Sequence, residues 1–259
     1  MKKAMTSIVG GLCMTLLLAG SAFTQEDEGP GVVFVEIYGC TYRANNDMGD
    51  LLAVTRRWNT WADQRNFTDY SAQILTPYFY STAFPYDVIW LGVYRNAEAL
   101  GAGEAAWLAE GGEMNAAFGE VVECSVHAQY AGLPTHLPAQ PPPDSDAVPL
   151  VSFQDCSLEN ERTVPEALQA HREWGDYLAE RGSDLFSGVL FPIAGEDPDA
   201  DYTYKAVTAY PSAVARARAL AALGGGGLQR AGQIFGRNVN CDTPRIYTSN
   251  SVRDMAEDT

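Results

Sequence analysis

Phe118-Gly119-Glu120-Val121-Val122-Glu123-Cys124 returns later in the chain as Phe235-Gly236-Arg237-Asn238-Val239-Asn240-Cys241, and both stretches read F-G-x-x-V-x-C. Each closes a segment that another cysteine opens, Cys40 in the first case and Cys156 in the second. The opening cysteines lie 116 residues apart and the closing ones 117, while Trp58/Trp174 and Tyr94/Tyr210 also keep an offset of 116. A shared offset across four landmarks points to an internal duplication. The chain reads as one unit written twice.

Working outward, the first unit (residues 32–131) opens with Val33 to Tyr38, a β-branched and aromatic strand ending at Gly39-Cys40. Asn46 or Asp47 then caps a helix through Asp63, with Leu51, Val54, Trp58 and Trp61 at helical spacing. Strands at Ile74–Thr76 and Val88–Tyr94, a helix from Ala97 to Ala109 capped by Asn96, a helical turn from Met114 to Phe118 and a strand around Val121–Ala128 follow. The second unit (150–248) repeats the order: strand 150–155, helix 164–181, strands 188–193 and 202–210, helix 212–223, strand 239–247. Between them, 132–149 is rich in proline and reads as a semi-rigid linker. The polar stretch 249–259 reads as a frayed tail.

A β-α-β-β-α-β order is the ferredoxin-like split motif, and its right-handed crossovers set the last strand antiparallel beside the first. Cys40 and Cys124 then fall at adjoining strand ends, as do Cys156 and Cys241. Of the three pairings open to four cysteines, self-contained units select Cys40–Cys124 and Cys156–Cys241.

Met1-Lys2-Lys3, an apolar run from Ile8 to Ala19 and Gly20-Ser21-Ala22 describe a signal peptide over residues 1–22. The run is too short to span a bilayer. The expected product is soluble and exported, periplasmic or extracellular, where disulfides persist. Without that leader 15 basic residues face 33 acidic ones, a net charge of −18, and Lys205 is the last lysine. So acidic a surface disfavours nucleic acid and anionic lipid as partners.

A ferredoxin-like sheet covers one face with helices and leaves the other open. Parity along the strands sets Val35, Ile37, Ile89 and Leu91 on the helix side. Glu36, Tyr38, Cys40, Trp90 and Tyr94 then join Gln154, Tyr204 and Tyr210 on the open face. Two such faces packed together would bury their rings around a pocket between the sheets.

At this point the chain resembles the dimeric α+β barrel superfamily, which includes antibiotic-biosynthesis-type monooxygenases, haem-degrading enzymes and stress-response barrel proteins. The resemblance implies an α+β fold in which two antiparallel sheets pack as a fused pseudo-dimeric barrel, compatible with a monomer. Trp58, Leu75-Thr76-Pro77-Tyr78, Asp87 to Gly92 and the twin F-G-x-x-V-x-C motifs are also similar to those of uncharacterised exported bacterial proteins. Haem-degrading members carry a histidine on the second helix of the unit; neither second helix here has one.

The leading expectation is therefore a non-catalytic barrel that binds a small apolar or aromatic molecule through Trp90, Tyr94, Tyr204, Tyr210 and Gln154, without a cofactor. The alternative is a cofactor-independent monooxygenase or isomerase, with Glu36 as proton shuttle beside Tyr38. A third is an interaction module with a filled core. His171 lies on an apolar helix stripe and reads as a hydrogen-bonded core residue, and His127 alternates away from Cys124. Asp197 to Asp201 lacks the glycine and closing glutamate of a calcium loop and reads as a hairpin tip. Lys205 is expected on the helix side in an ion pair. No zinc-ligand spacing appears.

Overall fold

Asp47 accepts hydrogen bonds from the backbone N–H groups of Gly49 and Asp50, and the Asp50 carboxylate answers the N–H of Asp47. This reciprocal cap starts helix α1 (Met48–Asp63) where the sequence predicts it and turns Leu51, Val54 and Trp58 inward. The computed structural model describes residues 31–139, 147–159, 161–236 and 239–256. The expected signal peptide and part of the expected linker lie outside these described residues.

In chain order the elements are β1 (Val33–Tyr42), α1, β2 (Tyr70–Phe79), β3 (Val88–Tyr94), α2 (Ala97–Glu110), α3 (Gly112–Val121) and β4 (Val122–His136). There follow β5 (Leu150–Leu158), α4 (Val164–Ala179), β6 (Phe186–Ala194), β7 (Tyr204–Tyr210), α5 (Ala213–Ala221), α6 (Gly227–Ile234), β8 (Val239–Cys241) and β9 (Arg245–Arg253).

All pairings are antiparallel, and eight strands close a barrel in the order β4-β1-β3-β2-β9-β5-β7-β6, returning to β4. Closure removes exposed sheet edges. In each half the first strand is central: β1 between β3 and β4, β5 between β7 and β9. Phe34 pairs with Tyr94 and Cys40 with Val88; Leu150 pairs with Tyr210 and Cys156 with Tyr204. The second register repeats the first at the sequence offset. The sulfurs of Cys40 and Cys124 are bonded, as are those of Cys156 and Cys241, across β1/β4 and β5/β8 respectively.

The structure corrects several boundaries. Residues 132–136, expected in the linker, continue β4 and pair with β6 to form one seam of the barrel. Residues 249–253, expected to fray, pair with β2 at the other seam, and Arg253 anchors them on Asp63 and the Phe67 carbonyl. Barrel closure supplies these partners, which a unit considered alone does not have. The expected strand 239–247 is broken between β8 and β9, and α6 was not anticipated after the glycine run.

The assignment of sheet faces is also reversed. Val35, Leu75, Ile89, Leu91, Val151 and Phe153 belong to a core cluster that draws strand residues from both halves and none from the helices. That cluster fills the barrel interior. Cys40, Val88 and Tyr94, with Tyr38 and Trp90 against them, pack instead with Leu51, Val54 and Trp58 of α1. Cys156 and Tyr204 likewise pack with Ala167 of α4. Both faces of the sheet are buried, so alternation separates two sets of residues without saying which set the helices cover. Rings occur on both faces, with Tyr130, Phe153 and Tyr247 in the lumen cluster and Trp58, Tyr70 and Tyr94 under the helices, so side-chain size does not separate the faces either.

One end of the lumen is polar. Lys205 points inward, not to the helix side as expected, and its Nζ lies 2.8 Å from Asp155. Arg245, only 6 % exposed, reaches Asp155 at 3.2 Å and Asp242 at 2.6 Å and stacks over Phe84. Lys205, Asp155 and Arg245 thus neutralise one another at this end of the lumen.

Candidate functional site

The large rings on the helix side of the first half line an open-mouthed cavity of about 660 Å³ between α1–α3 and the sheet. Its walls include Glu36 and Tyr38 from β1, Trp58 from α1, Trp90 and Tyr94 from β3, and Trp107 from α2. Two glycines make room for this packing. A Cβ at Gly92 would sit 2.1 Å from the Tyr70 hydroxyl, and one at Gly103 would sit 2.6 Å from the Tyr94 ring.

Glu36 is the polar centre. Tyr70, fully buried behind it, donates its hydroxyl to Glu36 Oε1 at 2.6 Å, and Trp90 Nε1–H donates to the Tyr70 oxygen at 2.8 Å. The second carboxylate oxygen, Oε2, faces His127 Nε2 at 3.9 Å. His127 lies flat on Tyr38, ring centroids 3.8 Å apart. Burial, reinforced by the charge of Glu36, pushes the phenols of Tyr38, Tyr70 and Tyr94 well above the ordinary tyrosine range. They act as neutral hydrogen-bonding groups, with no phenolate available at ordinary pH. Glu104, from α2, also lines the cavity and accepts from Gln129.

The second half has a smaller cavity of about 300 Å³, lined by Ser152, Gln154, His171, Trp174, Tyr210 and Phe235 among others. His171 Nε2 lies 3.0 Å from the Tyr204 hydroxyl, and burial lowers its pKa to about 4. The residue is thus a neutral, hydrogen-bonded imidazole in the folded chain.

Glu36, Tyr38, Trp90 and Tyr94 therefore do converge, but beneath the helices of the first half and not between the sheets. Gln154 and Tyr210 line the other cavity, and Tyr204 is buried beside it. The seven residues do not form one site. His127, expected to face away from Cys124, shares the cavity with it. The register shifts between Gly39 and Cys40, which pair with Val126 and Cys124, leaving Ser125 as an extra residue. Such a bulge inverts strand parity. Tyr70 and Glu104 were missed: Tyr70 precedes the strand core expected from sequence, and Glu104 reads as an ordinary solvent-facing helix residue.

No protein-family description and no curated protein sequence matches the chain. Solved structures do match. The α+β fold with its closed antiparallel eight-strand barrel matches that of dimeric α+β barrel structures. A candidate chlorite dismutase superposes with a TM-score of 0.51 at 11 % identity, over 85 % of this chain and 96 % of its own. A candidate monooxygenase from Lactobacillus acidophilus gives 0.51 at 11 % identity, over 86 % and 95 %. A heme-binding protein from Thermus thermophilus gives 0.50 at 11 % identity, over 84 % and 90 %. At such identity the likeness is one of fold, and fold does not fix chemistry.

Proposed function

We propose that this chain is an exported binding protein that takes a small aromatic or apolar molecule into the first-half cavity, without catalysing its conversion. One observation carries the reading. A cavity of about 660 Å³, well within the range of small-molecule sites, is walled by Trp58, Trp90, Tyr94 and Trp107, with a few polar groups converging at Glu36. The filled lumen matches what an interaction module requires between its sheets, but such a module leaves the helix-side cavity without a purpose. The leader-like residues 1–22 and the two disulfides support export. The matching offsets and registers of the two halves support a fused tandem duplication of one ferredoxin-like unit.

Haem, which the Thermus relative binds, needs an axial ligand aimed at the ring centre and cations for its propionates. In the larger cavity His127 lies flat against Tyr38 with Nε2 towards Glu36. The charged walls are Glu36, Glu104 and Glu123 against Arg43 alone, and Arg43 is held by Glu123 and the Gly119 carbonyl. In the smaller cavity His171 is bonded to Tyr204, and about 300 Å³ is too little space for the macrocycle. These residues do not fit haem.

The 3.9 Å approach of His127 to Glu36 favours a second reading, a cofactor-independent monooxygenase or isomerase in which Glu36 moves a proton. Oxygen uptake or isomerisation over a quinol panel, lost in Glu36→Gln, would support it, and rates equal to the protein-free control would exclude it. The binding reading is tested by native mass spectrometry of protein recovered from its exported compartment. A stoichiometric small molecule retained by the wild type and lost from Trp90→Ala is expected; a ligand-free wild type that also binds no aromatic probe would refute the reading.

A further inference from the structure

We propose that the first-half cavity selects an organic cation, an aromatic or apolar molecule bearing an ammonium-type group, with Glu36 as its counter-ion. This rests on the reading of that cavity as the binding site and adds the charge of the ligand.

Glu36 is a buried carboxylate without a balancing cation of its own: it is 9 % exposed, and among the described residues no lysine or arginine forms an ion pair with it. One oxygen is satisfied by the Tyr70 hydroxyl, itself held by Trp90. The carboxylate also meets the neutral Tyr38 hydroxyl, and Oε2 faces His127 beyond hydrogen-bond length, so its neighbours supply hydrogen bonds but no lysine or arginine charge. A buried anion in this state is stabilised by any cation that can reach it. Glu36 lies within the cavity wall, so a ligand can supply that cation.

The surroundings reinforce the choice. Tyr38, Trp58, Trp90 and Tyr94 share the wall with Glu36, and electron-rich ring faces attract ammonium groups, tryptophan most strongly. Glu104 adds a second carboxylate, while the Arg43 guanidinium is already paired with Glu123. The chain as a whole carries a net charge of −16, which raises the local concentration of cations and repels anions. The second half provides an internal contrast. Ser152 stands at the position corresponding to Glu36, Ala206 at that of Trp90, and the lining of the smaller cavity includes no carboxylate.

Three probes of matched shape separate the charge claim from the site claim: 2-(1-naphthyl)ethylammonium, 2-(1-naphthyl)ethanol and 1-naphthylacetate, titrated calorimetrically into the full chain at pH 7.5. The ammonium is expected to bind at least about tenfold more tightly than the alcohol, and the carboxylate most weakly, as one desolvated charge contact implies. Glu36→Gln keeps the side-chain volume and an acceptor for Tyr70. It should cost the ammonium about tenfold and leave the alcohol within about twofold. Glu104→Gln, at a partly exposed position, guards against a folding defect in the first variant and should lower the preference for the ammonium by a few-fold. If the alcohol binds as well as the ammonium in the wild type, the cation claim is overturned and the site stands. If none of the three binds, both fall.

Discussion

The two helix-side cavities occupy corresponding places in the two halves of the barrel, and they differ in what their walls carry. Trp58 and Trp174, Tyr94 and Tyr210, and Phe118 and Phe235 line them alike. Glu36 and Trp90 of the first cavity correspond to Ser152 and Ala206 of the second, and Thr55 of α1 corresponds to His171 of α4. The larger space thus carries a buried carboxylate and two extra indoles, Trp90 and Trp107, while the lining of the smaller includes no carboxylate and holds the half-buried imidazole of His171. The two halves place cavities alike, and a charged polar centre stands in the first of them. The central pairings β1/β3 and β5/β7 share their register, while the last strand is continuous in the first half and broken into β8 and β9 in the second.

The largest effect tests the shared frame. The two disulfides close loops of nearly equal span, 84 and 85 residues. Each should therefore contribute a similar amount, about 4 kcal/mol in the loop-entropy account. Denaturant unfolding of Cys40→Ala/Cys124→Ala and of Cys156→Ala/Cys241→Ala should show comparable losses, and a several-fold difference would break the equivalence of the halves.

Next comes Gly92→Ala. Its Cβ would meet the Tyr70 hydroxyl and the Glu36 side chain. We expect about 2–3 kcal/mol of destabilisation, with probe binding lost, from overpacking and a broken buried hydrogen bond. Thr208→Ala, at the corresponding position of β7, should cost less and leave binding intact; equal costs in a thermal melt would contradict the contrast.

His171 gives a pH signature at the position that Thr55 holds in the first half. Its pKa falls from 6.5 to about 4 through burial. The unfolded chain thus binds more protons between those values, and stability present above about pH 6.5 drains away as the pH falls towards 4. The loss is about 2–3 kcal/mol. His171→Thr, which installs the residue found at Thr55, should flatten this part of the stability–pH curve; an unchanged slope would assign it to other groups.

The smallest effect is a control. Arg162 and Glu166 form an exposed i,i+4 pair before and within α4, and Arg162→Ala should change stability by less than about 0.5 kcal/mol. A larger loss would mean that the start of α4 depends on this pair beyond the cap that Thr163 shares with Glu166.

Much of the frame was legible in the residues. Asp47 and Asn96 cap their helices as their chemistry predicts, and the recurring cysteines pointed to both bridges. The barrel seams were not legible, because β4/β6 and β2/β9 pairing depends on the other half and not on local pattern. The candidate site was half visible. Glu36, Tyr38, Trp90 and Tyr94 shared a parity and do share a cavity, but no alternation rule tells which of two buried faces the helices cover. The bulge at Ser125, which brings His127 to Glu36, has no local sequence signature such as a glycine. Tyr70, the residue that holds Glu36, lies at the very start of β2, outside the hydrophobic core of that strand.

The most direct test of the central claim is a crystal of the full chain grown with 2-(1-naphthyl)ethylamine. The naphthyl ring is expected among Trp58, Trp90 and Tyr94, with the ammonium at ion-pair distance from Glu36. Density for the probe in the second cavity or the barrel lumen, with the first-half cavity holding none, would contradict it.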